Sequence, residues 1–311
     1  MINNIDVTLR DGGYQNNFSF SESYVIEHVQ NISESEIEWI EIAYRNGSYK
    51  QIPNIGITGR GDNSYIENIK KHSPKANLCM IAHAHNISQK DIESMHRYGA
   101  QMLRLCINSD NQKKTLQFAE VAKSLGMKVC INATRASQLS IYDLLDFVAK
   151  SEKSNVDIFY LADSNGSMMP ESVSSLVSIL NGATTMDIGF HAHDNLSLAM
   201  ANSIAAKNSG AKYIDSSLFG MGKGAGNLNM ETWTSYLNKK GNAKKYQLSK
   251  ILEQAVSLKK HHENSRPERS ILDIILADKD LSVEYKLRPE FNNLVNIQNA
   301  MIFAAQLKKS A

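Results

Sequence analysis

The chain has 311 residues, of which 42% are hydrophobic, and its 34 lysine and arginine residues nearly balance its 32 aspartate and glutamate residues. This length accommodates one large domain or two ordinary ones, and the near neutrality argues against nucleic acid and anionic membranes as partners. Three isolated cysteines, a first segment unlike a secretion signal and the lack of a long apolar stretch predict a cytoplasmic protein that does not enter the membrane.

Eight short apolar segments alternate with segments of helical length, which predicts alternating strands and helices. The predicted strands are residues 5–10, 39–43, 77–82, 102–107, 128–134, 158–162, 188–191 and 213–218. Helical spacing is clearest at residues 115–125 and 196–209, each followed by glycine, which commonly ends a helix. Several strands are apolar on both faces, as a parallel sheet covered by helices requires. We therefore predict an α/β fold, a (β/α)8 TIM barrel over residues 1–235.

Residues 236–311 differ from the repeating pattern that precedes them. Helical spacing appears at residues 248–262 and again in an amphipathic run at residues 294–307. We expect this C-terminal helical extension to pack on the barrel or on a second subunit. A homodimer formed through the extension is the predicted assembly.

The clearest chemical signal is a pair of histidines, His191 and His193, at the end of the seventh predicted strand. Residues two apart in a strand point to the same face, so both imidazoles aim at one place. Two imidazoles and a carboxylate bind a borderline divalent cation, and Asp11 after the first strand is the candidate carboxylate. Strand alternation sends Arg10 and Asp11 to opposite faces, so both reach one site only if the strand ends there, which the two following glycines allow.

Polar residues follow almost every predicted strand, at the end where barrel enzymes carry their active sites. In chain order these residues are Arg10, Asp11, Tyr14, Tyr44, Arg45, Asn46, His83, His85, Thr134, Arg135, Asp163, Ser164, Asn165, His191, His193 and Asn195. We therefore predict the active site at this end of the barrel. Asn195 or Asp163 is the expected hydrogen-bond partner that orients the histidines.

Three motifs, in the same order and on the corresponding strands, resemble those of the DRE-TIM metallolyases, the HMGL-like family. They are Thr-Leu-Arg-Asp-Gly at residues 8–12, His-x-His-x-Asn at residues 191–195 and Gly-Lys-Gly-Ala-Gly-Asn at residues 222–227. Within the family, the segments 162–166, 193–203 and 215–222 are most similar to 4-hydroxy-2-oxovalerate aldolase-type enzymes. The resemblance covers about residues 4–235 and implies an aldolase that cleaves or forms a 4-hydroxy-2-oxo acid.

The resemblance also implies roles for individual residues. Asp11, His191 and His193 would hold a divalent metal, manganese before magnesium or cobalt, that binds the keto and carboxylate oxygens of a 2-oxo acid. Arg10 would pair with the keto oxygen and stabilise the enolate. Chemistry agrees, because retro-aldol cleavage leaves negative charge on oxygen, where a Lewis acid beside a guanidinium is stabilising. The predicted substrate contacts are Arg10, Tyr44, Asp163 and Asn195.

Tyr14 departs from the family pattern. The aldolases that this chain resembles have a histidine at this position, which acts as general base on the 4-hydroxyl. A tyrosine has an ordinary pKa of about 10, so it is a poor base near neutral pH. Either Tyr14 only hydrogen-bonds the substrate or another group moves the proton. His83, His85 and Tyr44 are the alternatives by strand position, and we predict His85.

Features of acyl-CoA chemistry in the family are absent, since the glycine-rich loop at residues 220–227 contains no cysteine. A Claisen-type acyltransferase is therefore the second hypothesis, and a barrel that binds metal and a 2-oxo acid without turnover is the third. The same loop predicts either a phosphate cradle that includes Lys223 or a tight turn that holds Asn227 near the metal. The expected small-molecule partners are a 2-oxo acid and an aldehyde; an aldehyde dehydrogenase partner, which the family implies, stays open.

Overall fold

The structure is a computed structural model that describes residues 2–241, 245–262, 268–292 and 297–310. Eight parallel strands form a closed barrel in which each strand pairs with the next along the chain and the eighth pairs with the first. The strands are β1 (Asn3–Asp6), β2 (Trp39–Tyr44), β3 (Leu78–His83), β4 (Met102–Ile107), β5 (Lys128–Ala133), β6 (Ile158–Asp163), β7 (Asp187–Ala192) and β8 (Tyr213–Ser216). The predicted TIM barrel is confirmed.

Helices surround the barrel and continue into the C-terminal region. They are α1 (Glu22–Glu34), α2 (Ile57–Arg60), α3 (Asn63–His72), α4 (Gln89–Tyr98), α5 (Gln112–Ser124), α6 (Ile141–Lys153), α7 (Pro170–Ala183), α8 (Ala199–Asn208), α9 (Met230–Lys240), α10 (Leu248–His261), α11 (Ile271–Asp278), α12 (Pro289–Asn292) and α13 (Ile297–Ser310). The predicted helices at residues 115–125 and 196–209 correspond to α5 and α8. In the part of the chain that the structure describes, no helix combines the length and apolar character needed to cross a bilayer.

The interior of the barrel has an apolar floor at the amino-terminal ends of the strands. Ile5, Cys79, Met102, Cys130 and Ile158 belong to this buried cluster. All three cysteines of the chain are free and buried. Above the floor the interior becomes polar and charged, so the apolar layer supports the strands from below while the layer above it forms the site.

The C-terminal helices pack on the barrel and form a small core of their own. Helix α10 lies against α1, where Asn31 Nδ2 donates to Gln254 Oε1 at 2.6 Å. A separate apolar cluster joins α11 and α13, and it includes Leu272, Leu276, Leu281, Phe291 and Ala304. The predicted boundary at residue 235 falls inside α9, which ends at Lys240. Residues 294–296 of the predicted last helix lie outside the described residues.

Candidate active site

A cavity of about 370 Å³ opens at the carboxyl ends of the strands, the end at which barrels of this kind carry active sites. Its wall also includes two residues from the C-terminal region, Ser282 and Glu284. The predicted site residues that line it are Arg10, Asp11, Tyr14, Tyr44, His191 and His193. His85, Asp163 and Asn195 are not part of the lining.

The turn after β1 brings two neighbouring charged residues into the cavity. β1 ends at Asp6, so the predicted strand through Arg10 is too long by four residues. The chain then turns, and the backbone N–H of Asp11 donates to the carbonyl of Val7 at 2.8 Å. Because neither Arg10 nor Asp11 lies in a strand, alternation does not separate them. Gly13 stabilises the turn by its size, since a Cβ there would lie 2.2 Å from a neighbouring phenyl ring.

Asp11, His191 and His193 bring three ligand atoms within 4.8 Å of one another, and all three residues are buried. The Nε2 atoms of the two histidines are 3.3 Å apart. His191 Nδ1 lies 2.9 Å from a carboxylate oxygen of Asp215, and His193 Nδ1 lies 3.2 Å from the carbonyl of Gly226. Both of these oxygens only accept, so each Nδ1 carries the hydrogen, and in the neutral imidazole the Nε2 atom then presents a lone pair. Two converging lone pairs and a carboxylate fit a divalent cation.

The charge states of these ligands suit a cation as well. Burial lowers the pKa of His193 to about 4, against the opposing effect of Asp11, so its imidazole is neutral at neutral pH. Burial on its own would raise the pKa of Asp11, but Arg10 and the two histidines hold it well below its usual range. Neutral imidazole and ionised carboxylate are the forms that bind metal.

A chain of buried ion pairs joins the His191 side of the site to the Arg10 side. Asp215 accepts from Arg104 Nη2 at 2.8 Å, Arg104 Nη1 donates to Glu41 at 3.0 Å, and Glu41 also accepts from Arg10 Nε. Each buried charge therefore has a partner of opposite sign. The predictions from sequence missed Glu41, Arg104 and Asp215. Their signal is a charged residue in the middle of an otherwise apolar strand, β2, β4 or β8.

Tyr14 and Tyr44 lie side by side on one wall of the cavity. Their phenol oxygens are 3.2 Å apart, and the Tyr14 hydroxyl also hydrogen-bonds the hydroxyl of Ser48. Burial, with a smaller contribution from Tyr14, raises the pKa of Tyr44 well above its ordinary value even though Arg10 opposes the shift. Tyr44 therefore stays protonated and can share hydrogens with the other two hydroxyls beside a bound substrate.

Of the two histidines near the end of β3, His83 faces the cavity and His85 does not. His85 is exposed, and its Nε2 lies 3.2 Å from the carbonyl of Tyr49. His83 is 6% exposed, and its Nδ1 has no hydrogen-bond partner among the described residues. Burial, followed by the charges of His85, Arg10 and Lys223, lowers the pKa of His83 to about 3, so this imidazole is neutral. The geometry therefore favours His83, one of the alternatives, over the predicted His85.

Asp163 and Asn195 organise loops behind the cavity wall. Asp163 is fully buried and accepts two backbone N–H groups of the following loop, at 3.0 and 3.2 Å. Burial raises the pKa of Asp163 to about 6, and these two bonds oppose the shift. Asn195 is equally buried and does not reach the cavity. The residue that orients His191 is Asp215, so the predicted partnership with Asn195 or Asp163 is corrected.

The glycine-rich loop after β8 forms a tight turn around Asn227. Asn227 Nδ2 donates to Asp11 Oδ2 at 2.9 Å, which orients this carboxylate. A Cβ on Gly222 would lie 2.3 Å from the amide of Asn227, so only glycine allows the approach. Lys223 Nζ pairs with Glu284 at 2.7 Å and is already neutralised. Of the two predicted alternatives, these contacts support the turn over the phosphate cradle.

Comparison with known proteins agrees with this geometry. The HMGL-like family model matches residues 1–257. A 4-hydroxy-2-oxovalerate aldolase from Geobacillus genomosp. 3 is 31% identical over 76% of this chain and 70% of its own length. An oxaloacetate decarboxylase from Mycobacterium tuberculosis is 29% identical over 81% of this chain and 75% of its own. The crystal structure of the N-terminal domain of a Bacteroides vulgatus protein superposes with a TM-score of 0.82 at 25% identity, covering 98% of this chain and 100% of that domain.

The barrel, the site and these relatives define a lyase-type enzyme built on a TIM barrel. The chain belongs to the HMGL-like family. The family predicted from three short motifs is thereby confirmed. The cluster of Asp11, His191 and His193 is its candidate metal centre.

Proposed function

We propose that this chain is a divalent-metal-dependent aldolase that cleaves or forms a 4-hydroxy-2-oxo acid. The observation that carries the proposal is the convergence of the His191 and His193 lone pairs with Asp11, beside the guanidinium of Arg10. Cleavage of the carbon–carbon bond in such an acid places negative charge on the former keto oxygen. A cation beside a guanidinium stabilises that charge where it develops. Relatives named 4-hydroxy-2-oxovalerate aldolase support the same class of reaction.

Asp11, His191 and His193 would hold the cation, manganese before magnesium or cobalt, and a bound cation supplies Lewis-acid charge at the keto and carboxylate oxygens. Arg10 supplies a second positive group. Arg10 lines the cavity; its Nε donates to Glu41 and its Nη1 to Asp11, while Nη2 has no hydrogen-bond partner in the described part of the chain and is left to bind the substrate. Burial alone would lower the pKa of Arg10, but Glu41 and Asp11 raise it well above its ordinary value, so the charge persists.

The cleavage requires a group that accepts the proton of the C4 hydroxyl. As that proton leaves, the C3–C4 bond breaks, C4 becomes an aldehyde carbonyl, and the bonding pair enters the enolate, which takes a proton at C3 to give the 2-oxo acid. We infer that His83 is the acceptor, because its neutral imidazole lines the cavity and its Nδ1 lacks a partner within the described residues. Burial is the largest cause of the low pKa of His83, and the substrate carboxylate would offset the smaller contributions of Arg10 and Lys223. Tyr14 donates a hydrogen bond to the substrate.

Tyr14→Phe is expected to lower the rate of pyruvate release by less than about tenfold, because a neutral hydrogen bond contributes about 0.5–1.5 kcal/mol. His83→Gln is expected to lower it by about 10²–10⁴-fold, the usual contribution of an acid–base group. The matched control is His85→Gln, an exposed histidine two residues further on, which should keep the parent rate. A large loss in Tyr14→Phe together with a parent-like rate in His83→Gln would assign proton transfer to the phenol.

The proposed function is tested by two metal-dependent signals. The first is pyruvate release from a panel of 4-hydroxy-2-oxo acids, and the second is exchange of the C3 hydrogens of pyruvate in D₂O, followed by NMR. Both should stop with EDTA and return with Mn²⁺. Metal-independent turnover would contradict the proposal. Thiol release from acetyl-CoA would favour the acyltransferase, and turnover of oxaloacetate alone would favour the activity for which the Mycobacterium tuberculosis relative is named.

We propose that the chain forms a homodimer through its C-terminal helices. Large apolar side chains on α11 and α13 are about half exposed, and they include Ile271, Ile274, Ile297, Met301 and Ile302. An apolar surface of this kind is typical of an interface between subunits. Sedimentation velocity should give twice the mass of the chain, and Ile274→Lys should shift the population toward the monomer. A parent that sediments as a monomer would leave the surface to another protein, such as an aldehyde dehydrogenase.

A further inference from the structure

The cavity has a second wall whose chemistry the proposed reaction does not use. The wall is formed at the carboxyl ends of β4, β5 and β6, across from Tyr14 and Tyr44. Its polar lining includes Asn111, Arg135 and Gln138, and four residues at or next to the strand ends, Asn108, Asn132, Thr134 and Ser164. None of them belongs to the candidate metal centre or to the chain of buried ion pairs. So many polar side chains in a cavity of this size indicate a ligand that forms hydrogen bonds with them.

These four residues offer hydrogen-bond groups that the protein leaves unused. Asn132 is 4% exposed; its Oδ1 accepts from a neighbouring thiol at 3.0 Å, while its Nδ2 has no acceptor in the described part of the chain. The Thr134 hydroxyl and Asn108 Nδ2 have no partner there either. Ser164 Oγ accepts a backbone N–H at 2.9 Å and retains its own hydrogen for another acceptor. The wall therefore presents four donors toward one space.

The C-terminal region partly encloses this space. Asp280 Oδ1 accepts hydrogen bonds from three side chains of the segments after β5 and β6, at 2.6, 2.9 and 2.7 Å. This contact docks the chain just before Ser282 and Glu284, which line the cavity. Glu284 is fixed in turn by Lys223 and by Lys50, the latter at 2.6 Å. A bound molecule that reaches beyond the metal ligands meets the donors inside this enclosure.

We propose that the aldehyde half of the substrate is a hydroxyaldehyde of sugar type, whose hydroxyl groups bind Asn132 and Thr134. This inference rests on the proposed aldolase function and adds the class of aldehyde. An unsubstituted alkyl aldehyde would displace water from the wall and leave the amide of Asn132 without a hydrogen-bond partner. The loss of that hydrogen bond strongly disfavours binding of such an aldehyde. In the condensation direction, C3 of pyruvate loses a proton to give the enolate, the enolate C3 bonds to the aldehyde carbon as the C=O π bond opens, and the aldehyde oxygen takes a proton to become the C4 hydroxyl.

The test compares condensation of pyruvate with glyceraldehyde and with propanal, which have the same carbon chain and differ by two hydroxyl groups. We expect kcat/KM, expressed per free aldehyde, to favour glyceraldehyde by at least about tenfold, and Asn132→Leu and Thr134→Val to bring the ratio close to one. The ratio is measured within each variant, so a loss of folded protein cancels. Asn208→Leu, an exposed asparagine at the end of α8, is the control that keeps the parent ratio.

The outcomes separate this inference from the function on which it rests. If the parent shows no metal-dependent C3 exchange of pyruvate, the aldolase proposal fails. If exchange occurs and propanal reacts as well as glyceraldehyde, the aldolase stands and the hydroxyaldehyde is wrong. If the parent prefers glyceraldehyde and both variants keep that preference, hydroxyl recognition by Asn132 and Thr134 is wrong. Only a parent preference that these substitutions remove supports the proposal.

Discussion

His193→Ala is expected to abolish tight Mn²⁺ binding and to lower kcat for pyruvate release by at least about 10³-fold. The substitution removes one of two converging Nε2 ligands, and a bound metal supplies several kcal/mol of charge stabilisation in the transition state, at about 1.36 kcal/mol per tenfold in rate. The fold should persist, because the side chain borders the cavity and, among the described residues, its other nitrogen contacts only the carbonyl of Gly226. Mn²⁺ titration followed by EPR and steady-state kinetics measure the two effects.

The matched control for this experiment is His85→Ala, which removes an exposed histidine outside the cavity. It should bind Mn²⁺ and turn over like the parent. Circular dichroism spectra of both variants should superimpose on that of the parent. Parent-like Mn²⁺ affinity in His193→Ala would show that the metal centre lies elsewhere, and the proposed reaction would lose its principal support.

Arg10→Lys is expected to keep Mn²⁺ and to lower kcat by about 10²–10³-fold, the effect of losing one donor to a developing oxyanion. The guanidinium donates to Glu41 with Nε and to Asp11 with Nη1, which leaves Nη2 for the substrate in the cavity that Arg10 lines. One ammonium group cannot reproduce this planar arrangement. Mn²⁺ affinity should change little, because Asp11 and both histidines remain. Kinetics and metal titration on the same preparation separate the two parameters.

The control for the arginine experiment is Arg60→Lys, since Arg60 is half exposed and pairs with Asp62 at the surface. It should behave like the parent in both measurements. If Arg10→Lys turned over as fast as the parent, the guanidinium would have no part in stabilising the enolate. If Arg10→Lys lost Mn²⁺ instead, the role of Arg10 would be to hold the Asp11 carboxylate in position for the metal.

Much of the fold and the candidate metal centre could be predicted because the sequence carries them locally. Apolar runs with regular spacing mark the eight strands, and the alternation of His191 and His193 puts two imidazoles on one face. Asp11 was found from its position after the first strand. The position at which that strand ends was not found, because residues 5–10 are suited to a strand, whereas the chain turns after Asp6 and the backbone N–H of Asp11 donates to the carbonyl of Val7.

Other parts of the site depend on contacts between distant segments. Whether His83 or His85 faces the cavity is decided by the turn after β3, which directs His85 to the carbonyl of Tyr49 in another loop. Asp215 orients His191 across 24 positions of the chain, so no local pattern reports the pair. Ser282 and Glu284 reach the cavity only because the C-terminal region folds back onto the barrel. Spacing alone does not contain this information.

The chain of buried ion pairs leaves an excess of negative charge beside the candidate metal centre. Asp11, Glu41 and Asp215 bring three negative charges into the barrel, and Arg10 and Arg104 bring two positive ones. A bound divalent ion would reverse the sign of this negative excess, and the single carboxylate of a 2-oxo acid would then cancel the remaining charge. We therefore expect the ion and the acid each to strengthen the binding of the other, by the same factor in both directions. An acid with a second carboxylate near the metal would restore the imbalance, and we expect it to bind less tightly than a monoanion.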